Sequence, residues 1–68
     1  MENYKHYHIR VRTDLEKRWE ESFLVAKFGT WEAIVNSAYS LSRLYQCEVR
    51  VNESGSSQGH YFLAHQQG

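Results

Sequence analysis

Within a strand read over residues 4–12, apolar and polar residues alternate one by one from His6 to Arg12. Tyr7, Ile9 and Val11 fall on one side, and Tyr4, His6, His8, Arg10 and Arg12 on the other. A period of two marks a strand with one face buried and the other in water. Trp31, Ile34, Ala38, Leu41 and Tyr45 instead recur at intervals of three and four, which predicts one face of a helix over about 31–46. Thr30 is placed to cap that helix. Glu32 stands in its first turn and Arg43 in its last, each with the sign the helix dipole favours. Cys47 to Asn52 alternates again, with Cys47, Val49 and Val51 inward. Glu53 to Gly59 consists of turn formers, His60 to His65 reads as a last strand, and 66–68 are expected to fray.

Residues 13–28 carry two patterns. Thr13 and Glu16 fit a capping box, and Leu15, Trp19, Phe23 and Ala26 would then form a stripe on a helix at about 14–27. The dense apolar run from Phe23 to Phe28 favours a strand beginning near Trp19. Leu24, Ala26 and Phe28 would point one way, and Trp19, Phe23 and Val25 the other. The strand is preferred, because a hairpin suits a chain this small better than two helices crowded on a short sheet. The resulting fold class is α+β, a two-layer ββαββ order with one helix on a four-stranded, mainly antiparallel sheet. The alternative is βααββ. On the preferred reading, Phe28 packs beneath the helix to complete the sheet.

At 68 residues, the chain is read as one domain over 1–68. A domain of this size buries only about 60% of its unfolded surface, and a single cysteine excludes an internal disulfide. Dense packing or a partner must supply the difference, and an aromatic content of 15% suits both. Lys plus Arg and Asp plus Glu each number 8, so the formal net charge is zero. That balance argues against a strongly basic nucleic-acid binder and against an acidic mimic of one. No apolar run approaches the ~20 residues that span a bilayer, and no secretory start is visible. No membrane association is expected, and a cytoplasmic location is. The glycosylation triplet Asn52-Glu53-Ser54 is therefore a coincidence on this reading.

The candidate chemistry lies on the sheet face away from the helix, where His6, His8, Arg10, Arg12, Glu48 and Arg50 project. The second strand is apolar on both sides, and one helix cannot cover both. An uncovered apolar patch marks an interface. The expected function is a small non-catalytic module that binds a protein, a second copy of itself included. Trp19, Phe23, Arg10 and Arg12 are expected as its contacts, and His6, His8 and Arg50 stand beside them. Arginine stems lying over the patch would be an internal alternative. The other binding alternative is a single-stranded nucleic acid, with bases stacked on rings and guanidinium groups on phosphates, although no RNA-binding signature is present.

Cofactors, metal ions and small-molecule substrates are not expected. His6 and His8 point away from the inward Cys47, so these three do not converge, and His60 and His65 would have to approach from the last strand. The acidic residues form no acid–base pair, and Cys47 follows a helix C-terminus, the end that raises a thiol pKa. By analogy of size and architecture, an accessory, adaptor or inhibitor role of the kind found in phages and mobile elements fits such a domain.

Overall fold

In a computed structural model, residues 3–64 are described. Strand β1 spans Lys5–Val11, β2 Phe23–Gly29, β3 Val49–Glu53 and β4 His60–Phe62, and helix α1 spans Trp31–Tyr45. The order is ββαββ, as the alternation predicts. The strands lie side by side as β2-β1-β3-β4, each antiparallel to its neighbour. The sheet thus has β1 and β3 inside and β2 and β4 at its edges. Histidine 65 and the tail expected to fray lie outside the described residues.

The register fixes which side chains share a face. Val11 pairs with Phe23 and Val49, Ile9 with Val25 and Val51, and Tyr7 with Lys27 and Glu53. Across β3, Val49 pairs with Phe62 and Val51 with His60. These rows look toward the helix. Tyr7, Ile9, Val11, Val49, Val51 and Phe62 are buried there beneath Ile34 and Ala38. Burying side chains of this size stabilises by about 1.5–3 kcal/mol each, which is the main force holding the two layers together.

Helix α1 begins where expected. The Thr30 hydroxyl accepts from the Ala33 N–H at 3.3 Å, and Thr30 C=O accepts the first helical N–H, from Ile34, at 2.9 Å. It ends at Gln46, which takes a left-handed conformation (φ 54°, ψ 49°) that closes the last turn. Its buried stripe runs through Ile34, Ala38 and Ser42, flanked by half-buried Val35, Tyr39 and Leu41. Trp31, expected in the core as the start of the stripe, is 42% exposed. It lies at the border, its ring 5.8 Å from that of Tyr7 and 6.2 Å from that of Phe62.

The segment before β2 forms neither the helix at about 14–27 nor a strand from Trp19. Asp14 is the reason at its start. Its carboxylate accepts from the Glu16 N–H at 3.0 Å, and its carbonyl accepts from the Lys17 N–H at 3.0 Å, so the chain turns locally. The capping box that Thr13 and Glu16 suggested is thereby pre-empted. A single 3-10 turn follows at Trp19–Glu21, and the strand begins only at Phe23. Phe28 is also not beneath the helix. It pairs with His6, which places it on the far face, and the residue packed near Ala33 and Ile34 is Gly29.

Ser42 joins three parts of the chain. It is fully buried, and its hydroxyl donates to the Cys47 carbonyl at 2.7 Å while accepting from the Ala64 N–H at 2.9 Å. One side chain thus ties the end of α1 to the start of β3 and to the chain leaving β4. Ser42→Ala removes the hydroxyl and strands a buried N–H. An expected loss of about 1–3 kcal/mol should appear as a lower urea midpoint with an unchanged slope.

Candidate interaction surface

On the far face, Leu24, Arg10, Arg50 and Tyr61 form one row across all four strands. Ala26, His8 and Asn52 form the next, and Phe28 and His6 a third. The expected projection of His6, His8, Arg10 and Arg50 to this side therefore holds.

One end of the face is covered by the chain itself. Arg10 Nη1 donates to the carbonyls of Ser22 at 3.1 Å and Glu20 at 3.3 Å, drawing the β1–β2 connection against the sheet. The Arg12 guanidinium lies 4.6 Å from the centre of the Trp19 ring. That ring meets Tyr61 edge-on at 5.5 Å. Each cation–ring contact of this kind contributes about 0.5–1 kcal/mol or more. Trp19, reached from β1, is thus seated against β4.

Arg50 works the same way on the β3–β4 loop. Its Nη2 donates to the Ser57 carbonyl at 3.3 Å, and its stem crosses Gly59, where any side chain would collide with it. Asn52 Nδ2 donates to the Ser56 carbonyl at 3.0 Å. Gly55 supplies the left-handed residue this turn requires, with φ 88°. The described ion pairs, Lys5–Glu53 and Arg18–Glu21, involve none of the three face arginines.

What remains open is the β2 side. The Phe28 ring lies 5.7 Å from that of Tyr4 and 4.6 Å from that of His6. Phe28 is 60%, Tyr4 58% and Leu24 41% exposed. Phe23, expected beside Trp19, is on the opposite face, where its ring stands 6.4 Å from Tyr45. Trp19, Arg10, Arg12 and Arg50 come together, but around each other rather than as one free surface. Leu24, Phe28 and Tyr4 form this apolar surface, Leu24 and Phe28 being, of the two sets that β2 offers, the one that the register turns to the far face. Their alternation was visible; which side it faced was not, because both sides of β2 are apolar.

A shallow groove lined by Val25, Lys27, Asn36, Ser37, Ser40 and Leu41 runs along β2 on its helix side. Among the described residues, no three His, Cys, Asp or Glu side chains gather as metal ligands. His60 lies on the helix face, 5.0 Å from Trp31, opposite to His6 and His8. Burial pushes the Cys47 thiol pKa up, the direction expected but for a different cause. No described helix is long and apolar enough to cross a membrane. Comparison with family models, with curated proteins and with solved structures returned no match.

Two outcomes follow from this geometry. Trp19→Ala should free the β1–β2 connection, so that limited trypsin digestion cuts after the exposed Lys17 and Arg18 several-fold faster than in the parent chain. Alkylation of Cys47 by iodoacetamide should rise with pH later than that of a small free thiol, because the protonated form is favoured.

Proposed function

We propose that the chain is a small non-catalytic protein-binding domain that takes its partner along β2, in an accessory, adaptor or inhibitor role. The observation that carries this reading is the state of that strand. It is a sheet edge, apolar on both sides, and five of its seven residues are exposed. A free edge offers a row of backbone donors and acceptors to an extended peptide, and the neighbouring side chains supply selectivity. Phe28, Tyr4 and Leu24 supply the apolar contact on the far face, and the groove of Asn36, Ser37 and Ser40 flanks it on the other. A reducing, cytoplasmic setting suits the single free Cys47.

Single-stranded nucleic acid is the second reading. Three far-face arginines that form no carboxylate pair among the described residues, and the rings beside them, favour it. The protein reading has the better support, because Arg10 and Arg50 already hold loop carbonyls and Arg12 is stacked on Trp19. The formal charge is also zero.

Selection from a displayed peptide library tests the choice. Extended apolar peptides are expected, with amide shifts concentrated in β2 and binding weakened at least tenfold by Phe28→Lys. Binding of labelled single-stranded DNA or RNA that falls steeply with salt, with no peptide selected, would transfer the assignment to nucleic acid.

A further inference from the structure

We infer that the β2 edge pairs with β2 of a second copy of this chain, antiparallel about a two-fold axis at Ala26. This rests on the reading above that β2 is the contact strand, and it names the occupant.

The first argument is that this edge lacks protection. Sheets blunt their edges with short strands, bulges, prolines or several charges. The other edge, β4, is only three residues long. By contrast, β2 pairs with β1 over seven consecutive residues without a bulge, and its sequence Phe-Leu-Val-Ala-Lys-Phe-Gly holds one charge and no proline. Exposed in water, such an edge is a liability; covered, it is an interface.

The second argument is self-complementarity. Antiparallel pairing centred on Ala26 sets position 24 of one copy opposite position 28 of the other, twice. On the far face this joins Leu24 to Phe28 across the axis, an aliphatic–aromatic pair of the kind that stabilises sheets, with the small Ala26 meeting its own equivalent between them. On the helix face, Lys27 meets Val25 and Phe23 meets Gly29. The lysine stem then lies on an apolar neighbour, and the ring covers a residue with no side chain. The two Lys27 ammonium groups are not opposed. Each lies diagonal to the other, its stem on the partner's Val25 at the rim of the groove that Asn36, Ser37 and Ser40 also line.

An arbitrary partner strand has no reason to match this order. A second copy matches it by symmetry, with the same patch on both sides. A contact confined to one seven-residue strand is small beside the roughly 1,200 Å² where standard specific interfaces begin, so a weak dimer, filled only at high concentration, is expected.

Sedimentation velocity on the full chain, from micromolar to millimolar concentration, should show a monomer passing to a dimer. Leu24→Glu and Phe28→Lys, both at exposed positions, should each hold it monomeric with an unchanged circular dichroism spectrum. The double variant, carrying both substitutions on one chain, should recover the dimer, because each Glu then faces a Lys of the other copy. Ala26→Cys in a Cys47→Ser background should form a disulfide dimer under mild oxidation, whereas Leu24→Cys in that background should not.

A chain that stays monomeric throughout this range overturns the proposal. So does a dimer in which Ala26→Cys fails to cross-link and the double variant is not recovered. Either result leaves the broader protein-binding reading standing if selected peptides still perturb β2, and removes it as well if they do not.

Discussion

One helix is about half as wide as the sheet it covers. With side chains a helix measures about 10–12 Å across, whereas four strands spaced about 4.8 Å apart extend over nearly 20 Å. The helix therefore shields two strands well, and here these are β1 and β3, whose inward residues Ile9, Val11, Val49 and Val51 are fully buried. The edges must be served by something else. On the β4 side, Trp31 and Tyr39 extend the reach of α1 over Phe62, with Tyr39 5.2 Å from that ring. On the β2 side only Tyr45 reaches out, its ring 6.4 Å from that of Phe23, so Val25 is half-buried while Phe23 and Lys27 stay exposed on the helix face. The asymmetry of the surface follows from this mismatch in width.

The far face meets the same shortage by another route. No second α-helix is present among the described residues, and long cationic side chains serve in its place. Arg10, Arg12 and Arg50 lay their stems on the sheet and use their guanidinium groups on loop carbonyls and the Trp19 ring. Covering a face this way has a cost. The Nε atoms of both Arg12 and Arg50 are buried without a hydrogen-bond partner. The result is a face divided in two, partly covered by arginine and tryptophan toward β4, where Tyr61 stays exposed, and left apolar toward β2.

Much of this was legible in the chain because most elements had a face to declare. The alternation in β1 and β3 and the spacing of Ile34 and Ala38 in α1 each distinguish inside from outside. The strand β2 makes no such distinction, so its existence was readable while its orientation was not. Register with β1, a long-range property, decides that Phe28 looks away from the helix. Trp19 does lie against the far face, but from a 3-10 turn and not from a strand shared with Phe23 and Val25, and its contacts with Arg12 and Tyr61 depend on the path of a loop that no periodicity describes. Asp14 was legible in retrospect: its side chain competes for the backbone N–H groups that a helix start would need. Ser42 was missed because a polar residue on an apolar stripe reads as a flaw until its two partners, distant in sequence, are known.

The three-residue length of β4 has a consequence for growth. A sheet with two competent edges can add units without end, as filaments do, whereas a sheet with one can only close on a partner and stop. On the β2 pairing inferred above, a β4 this short leaves the chain with a single valence as a building block. Lengthening β4 by a few alternating residues would give it a second valence. The brevity of that strand therefore sets a limit on the size of any assembly.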